Sequence, residues 1–463
     1  RGHRRRHLGH PVNFGGRLEA ARVRRSSPAR GRALLTRRAV LAALAATASA
    51  RALGRSPFFG VLRLRLPLYF GSLDPHTLDD PLSALFAPAV FDPLYALDAN
   101  GKPYPTLANA LPERVANGAR VALRPELVTA LRKPLTGADL LFSFKRAQSL
   151  GGAAVLSAFG TPKADGNDAI VVPFAEPEAL AHALASPLTA LVPRGFSART
   201  PEGTGAFSAL FGHDGLLLLR NERAARGAAF LDRIVVVAAS DLGDALRAFE
   251  AGAVDVGWLG NGLYRPRAGA IALEGPIYGW FVLRTGLDAK TWGAPGIAQQ
   301  LCSALPSDAL ARFGVRALPK TDEAVRWGGG PSQLLVNDDC PHAVELARAL
   351  EPLLSSSGNE VRSTPVSRSN FTEARRSRHF SLMLDFVRAT NTDPAQSAQT
   401  LLAAADPALA KHPPRNLASL RDVTRTLALG VIGELRITGA RMPEFEGLDA
   451  WNLGAVWSNS AKT

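Results

Sequence analysis

The chain has 463 residues, 46% of them hydrophobic, and a formal charge of +14. Fourteen arginines against the single acid Glu19 place +13 of that charge in residues 1–55, so everything after Arg55 is close to neutral. This distribution excludes a nucleic-acid-binding surface spread over the molecule, and the hydrophobic content excludes a chain too polar to build a core.

The basic leader ends in Thr36-Arg37-Arg38-Ala39-Val40-Leu41, followed by an apolar stretch to about Ala46 and the small residues Ala48-Ser49-Ala50. A positive segment, a short apolar segment and a small-residue cleavage site are the three parts of an export signal. The apolar stretch is far short of the roughly 20 residues that span a bilayer as a helix, so removal is expected rather than anchoring. Arg37 and Arg38 resemble the pair of a twin-arginine signal, with Val40 and Leu41 at the apolar positions after it and Ala42 in place of its frequent lysine. That resemblance implies export of folded cargo by the twin-arginine machinery. The only methionines are Met383 and Met442, so the start is expected near Leu34 or Leu35, and no fold is expected before it. No cysteine follows the apolar segment as a lipid attachment point, so a periplasmic or secreted protein without a lipid anchor is expected.

Beyond the leader, Val61 to Leu66 alternates apolar residues with arginines and predicts a strand with one buried face. Leu82 to Leu97 reads as a helix leading into a short strand, and Asp98-Ala99-Asn100-Gly101-Lys102 as a tight reversal. A strand is expected at Arg120 to Leu123, and a helix capped by Thr136 continues through Leu140 to Arg146. Ala169 to Phe174, Leu216 to Arg220, Arg233 to Val237 and Asp255 to Leu259 read as strands. Pro177 to Ala185 and Asp241 to Ala251 read as helices, the second stopping at Gly252. Further on come a strand at Gln333 to Val336, a helix at Ala343 to Leu354, a break at Ser355-Ser356-Ser357-Gly358 and a strand at Phe380 to Phe386. This alternation predicts an α/β architecture with more than one sheet. Cys302 and Cys340 are the only thiols, and the sequence leaves open whether they form a disulfide or stay buried and unpaired. Neither sits in a CxxC pair and the nine histidines are scattered, so no metal site and no cofactor are expected.

Four motifs in order resemble the extracellular solute-binding proteins of the peptide and nickel type (family 5) that serve ABC importers. They are Leu73-Asp74-Pro75-His76 with Val90-Phe91-Asp92-Pro93-Leu94-Tyr95 through Ala108, and Pro134-Leu135-Thr136-Gly137-Ala138-Asp139. The other two are Gly203-Thr204-Gly205-Ala206-Phe207 with Phe230-Leu231-Asp232-Arg233-Ile234, and Ala248-Phe249-Glu250-Ala251-Gly252-Ala253-Val254-Asp255-Val256. Together they span Leu73 to Val256, with weaker similarity through Ala347 to Pro394. The resemblance implies a periplasmic-binding-protein-like α/β fold of the type II, large peptide-binding subclass, with two lobes of mixed sheets joined by a hinge. Lobe 1 is expected at 56–284 plus 425–463 and lobe 2 at 285–424, the chain crossing near Arg284 and returning near Leu427. A monomer is expected, capturing a small peptide or similar solute and presenting it to an ABC permease in the inner membrane.

Gly203, Thr204 and Gly205 are candidate ligand contacts, because glycine lets the backbone approach a ligand closely; a simple turn is the competing reading. Tyr278 and Trp280 are placed to stack on a ligand, or to pack in a core as strand aromatics commonly do. Peptide-binding members present an aspartate to the ligand's α-amine, and on an ungapped match that position is Thr390, with Val387 at a tryptophan position. A threonine cannot neutralise an ammonium group, so a free peptide amine is not favoured, and Arg388 becomes a candidate for an anionic group, with a merely solvated loop arginine as the competing reading. The family's "HDGT" segment is also replaced by Thr129-Ala130-Leu131-Arg132-Lys133. Among other classes, a secreted hydrolase finds no GxSxG elbow, HExxH pair or Walker loop, and Gly328-Gly329-Gly330-Pro331 lacks the phosphate-site lysine. An intracellular or signalling ligand sensor of the same fold remains the alternative, with only the leader available for DNA and no helix-turn-helix pattern within it.

Overall fold

A computed structural model describes residues 59–258, 267–318, 324–390, 394–406 and 424–458. The leader with Arg37 and Arg38, the end of the 255–259 segment at Leu259, and Asp393 lie outside the described residues. Among the described residues no helix is long and apolar enough to cross a membrane.

Strand β1 (Val61–Leu66) buries Leu62, Leu64 and Leu66 completely and turns Arg63 and Arg65 outward, as its period of two requires. Helix α1 (Pro81–Val90) starts at Asp80, whose carboxylate accepts the N–H groups of Leu82 and Ser83 at 3.2 Å each. It ends at Val90, and the short strand expected after it is β2 (Tyr95–Leu97), which forms a hairpin with β3 (Pro103–Pro105). Asp98 Oδ1 closes that turn by accepting from Asn100 and Lys102, with Gly101 at φ +77°. After β4 (Glu113–Val115) and β5 (Gly118–Ala122), helix α2 (Gly137–Ser149) begins at Thr136. Asp139 reaches back to take both the N–H (2.9 Å) and the hydroxyl (2.7 Å) of Thr136.

The next elements are α3 (Ala153–Leu156), β6 (Lys163–Asp165), β7 (Ala169–Pro173), α4 (Pro177–Ala183), β8 (Phe207–Gly212), β9 (Gly215–Arg220) and β10 (Arg233–Ala238). Asp241 caps α5 (Leu242–Glu250), and β11 (Val256–Trp258) follows Gly252. The second half contains β12 (Ile271–Thr285), α6 (Ile297–Ser303), α7 (Ser307–Ala311), β13 (Val315–Ala317), β14 (Ser332–Asn337) and α8 (Pro341–Leu354). It continues with β15 (Val361–Val366), α9 (Arg368–Ser377), β16 (Leu382–Arg388), α10 (Pro394–Ala405) and β17 (Leu429–Arg441).

Three sheets organise these elements. One is four-stranded in the order β1-β10-β9-β8, with β1 and β10 parallel. A second, β4-β5-β7-β6, is antiparallel and covers its own core of Leu94, Val121, Leu140, Phe144, Ile170 and Leu180. The largest has seven strands, in the order β11-β17-β12-β16-β14-β15 with β13 also on β17. Its long strands β12 and β17 pair antiparallel from Ile271–Arg441 to Arg284–Leu429, with irregularities around Ile277, Gly279 and Phe281. A Cβ on Gly279 would sit 2.3 Å from the ring of Phe386, so the missing side chain is what lets Phe386 of β16 lie against β12. The main core runs along this sheet and the first one, through Leu62, Phe86, Phe207, Trp258, Phe281 and Leu384.

Candidate functional site

The glycine loop packs against the end of α1. A Cβ on Gly203 would lie 2.2 Å from the carbonyl oxygen of Val90, and one on Gly205 2.5 Å from the Val90 carbonyl carbon. The Gly205 N–H donates to Val90 at 2.9 Å. Thr204 is fully buried, and its hydroxyl donates to Asp92 at 2.8 Å. Burial nonetheless raises the Asp92 carboxyl, against the lowering pull of Thr204 and Arg226. Close approach is therefore used here between two pieces of the chain's own backbone.

Tyr278 and Trp280 stand two positions apart on β12, a spacing that shares one face of a regular strand, and the register shift between Ile277 and Gly279 sends them into different cores. Tyr278, 5% exposed, lies between the rings of Trp258 (5.9 Å) and Phe386 (6.1 Å). Trp280 faces another core with Val282, Val387 and Leu401. Arg388, set beside them on β16, is 1% exposed rather than solvated. Its N–H donates to Leu78 at 2.7 Å and its guanidinium to Pro75 at 3.0 Å, which fastens the Leu73-Asp74-Pro75-His76 turn to the large sheet. Burial brings this guanidinium down to about 10, against the opposing pull of Asp80 and Asp74. Thr390 is half-buried just beyond the strand. Cys302 and Cys340 are both buried and free.

Two neighbouring cavities are each lined in part by residues 68–82 and in part by residues 337–406. The smaller, about 240 Å³, is lined by Tyr69, Asp79, Asp80, Asn337, Asp339 and Arg368 among others. The larger, about 690 Å³, reaches Arg284, Thr285, Arg375, Arg376, Arg378 and Asp406. Thr77, Asp79, Thr372 and Phe386 line both. None of the glycine loop, Tyr278, Trp280, Arg388 and Thr390 lines either cavity.

Helix α9 places Arg368, Thr372 and Arg375 on one face, as spacings of four and three residues require. Arg368 pairs with Asp339 at 3.0 Å and lies 4.7 Å over the ring of Tyr69. Arg375 pairs with Asp79 and, at 3.4 Å, with Asp385. Asp385 in turn receives Arg284 Nε at 2.8 Å, while Arg284 Nη1 donates to Ala404 at 2.7 Å. The result is an alternating line of charges, Asp79, Arg375, Asp385, Arg284, at the junction of the cavities. Burial works to raise the Asp79 carboxyl, but the Arg375 guanidinium outweighs it and holds Asp79 below its ordinary range. Neighbouring Asp80, committed to capping α1, is pushed up by burial.

These charged residues did not stand out in the sequence. Asp79 and Asp80 are merely adjacent in sequence, and Arg375 falls in no motif. The available signal is the seven-residue spacing of Arg368 and Arg375, which puts both on one helical face.

No protein-family model and no curated protein matches the chain by sequence. Solved structures do match in fold. The periplasmic binding protein DppA from Helicobacter pylori, in complex with the peptide STSA, gives a TM-score of 0.69 at 14% identity, covering 89% of this chain and 100% of that one. The oligopeptide-binding protein AppA from Bacillus subtilis, with a nonapeptide, gives 0.65 at 12% identity over 87% and 99%. NikA from Brucella suis, with Fe(III)-EDTA, gives 0.60 at 14% identity over 86% and 100%. The chain thus has the two-lobed, mixed α/β fold of periplasmic binding proteins, in its type II peptide-binding form.

Proposed function

We propose that the chain is the substrate-binding component of an ABC importer, capturing a small peptide or similar solute between two lobes and delivering it to a membrane permease. The observation that carries this reading is the pair of cavities, whose linings both draw on residues 68–82 and on residues 337–406. Those segments belong to different proposed lobes, 56–284 plus 425–463 and 285–424. The likeness in fold to peptide-bound binding proteins over 89% and 87% of the chain supports it. In this reading β12 and β17 carry the chain across, and closing and opening of the lobes is the working step. The bound solute undergoes no covalent change. The Arg37-Arg38 segment is read as a twin-arginine address, which places the mature protein in the periplasm or outside the cell.

Mass spectrometry of the native, purified protein tests capture directly. A retained small molecule, released on denaturation, is the expected result. A protein that retains none, binds none of a peptide and small-solute panel, and turns over an ester or peptide instead would sink the reading. Replacing Arg37 and Arg38 together by lysine is expected to stop export.

A further inference from the structure

The larger cavity contains four arginines, Arg284, Arg375, Arg376 and Arg378, against Asp79 and Asp406. Arg375 is shared between two carboxylates of unlike standing. The side chain of Asp385 is 3% exposed and fixed in β16 by Arg284, whereas that of Asp79 is 35% exposed and comes from the turn before α1, 296 positions from Arg375 in the chain. Asp79 is thus the exchangeable partner. Without it, Arg284 and Arg375 share the single carboxylate of Asp385, and one positive charge is left at the cavity floor for an incoming anion to neutralise. The position already accepts a carboxylate, in the form of Asp79 itself. A separate observation points the same way. Thr285, a residue 2% exposed, is one of the residues that line this cavity, and its buried hydroxyl has no hydrogen-bond partner among the described residues. A buried hydroxyl without a partner is costly, and a solute oxygen in the cavity relieves that cost.

Resting on the capture reading above, we propose that the solute carries a carboxylate, and that on binding this group replaces Asp79 on Arg375. Arg375 is the specificity-determining residue, and Asp79 is its placeholder in the ligand-free protein. Because Asp79 walls both cavities, its withdrawal joins them and makes room for the remainder of the solute. Arg376, paired with Glu373 at 2.8 Å, and Arg378 are both exposed and line the larger cavity, where their charge favours the approach of an anion.

Isothermal titration calorimetry of the full chain tests this, with glutarate and suberate as carboxylate probes, cadaverine as a matched dication and dialanine as a zwitterion. The dicarboxylates are expected to bind and cadaverine is not. Asp79→Asn is expected to tighten dicarboxylate binding by about tenfold, because the charge-assisted bond to Arg375 no longer has an internal competitor. Arg375→Gln is expected to abolish it. Arg375→Lys, which keeps the charge and loses the planar fork, is expected to weaken it. Thermal transitions of each variant check folding, and if Arg375→Gln does not fold, Asp79→Asn and Arg375→Lys decide the matter. Weakened or unchanged dicarboxylate binding in Asp79→Asn overturns the proposal. So does binding of none of the four probes to either the native chain or Asp79→Asn. Binding of cadaverine with none of the three carboxylate-bearing probes overturns it while leaving capture standing, and so does dialanine binding that Arg375→Lys leaves unchanged; capture falls separately, if the native protein also retains no small molecule.

Discussion

Arg388 and Pro75 stand 313 positions apart in the chain, and the guanidinium of one donates to the carbonyl of the other at 3.0 Å in a buried site. This bond fastens the turn before α1 to β16, and with it the loop that carries Asp79. Arg388→Met keeps much of the buried volume but leaves the Pro75 carbonyl unpaired and removes the positive charge facing Asp74 and Asp80. A loss of about 2–4 kcal/mol is expected, typical of breaking a buried charged contact. Urea denaturation checks it; a midpoint unchanged from the native chain would contradict this structural role.

Glycines of the Gly203-Thr204-Gly205 loop are expected to respond differently from an open glycine. Gly205→Ala drives a Cβ into the Val90 backbone and is expected to cost about 2 kcal/mol or more through overpacking. Gly212, whose Cβ would meet nothing within 4 Å, serves as the control. Gly212→Ala should be neutral or stabilising by up to about 0.5 kcal/mol, since alanine loses less backbone entropy. Equal thermal shifts in the two variants would refute the distinction.

His342 supplies a pH test. Its Nε2 is 2.8 Å from the Phe313 carbonyl and its ring lies 5.1 Å from that of Phe281. Burial lowers it to about 4 from 6.5, against the raising effect of the Phe313 carbonyl. Between those values the unfolded chain binds a proton that the folded chain excludes, so stability rises with pH there. The contribution is present above the unfolded pKa of 6.5 and is lost as pH falls towards about 4. Each such histidine adds a slope of up to about 1.4 kcal/mol per pH unit. His342→Gln should flatten this slope in urea titrations across the window, and an unaltered slope would count against a buried neutral imidazole.

Both cysteines are expected to be unreactive in the folded protein. Burial raises both thiols, Cys340 to about 11, and the thiolate is the nucleophile. Intact mass after iodoacetamide treatment near neutral pH should show no adduct on the native protein and two on the unfolded one. A single adduct on the native protein, or none on the unfolded and unreduced one, would contradict two buried free thiols.

Local structure was legible wherever a short stretch carries its own reason. The alternation in Val61–Leu66, the Thr136–Asp139 cap, the Asp98–Gly101 turn and the Asp241 cap all fall where the side chains dictate. The long strands β12 and β17 were marked only by Tyr278, Trp280 and the crossing near Arg284 and Leu427. Buried for much of their length, they lack the polar alternation that identifies a half-exposed strand. The separate core under β4, β5, β6 and β7 was not anticipated either, because nothing local shows that those strands pair with one another rather than with β1.

By itself, the sequence determined the charge-segregated leader, the order of local elements and a set of motifs whose succession resembles solute-binding proteins. Only the tertiary structure decided which charges meet. Arg284 lies opposite Met383 and Asp385 opposite Val282, so the register of β12 on β16 makes Arg284 and Asp385 diagonal neighbours on one face. A slip of one residue would turn them to opposite faces and dissolve the charged line that ends at Arg375 and Asp79. That register is fixed by the fit of Phe386 over Gly279 and by packing between segments about a hundred residues apart, information that no local stretch of sequence holds.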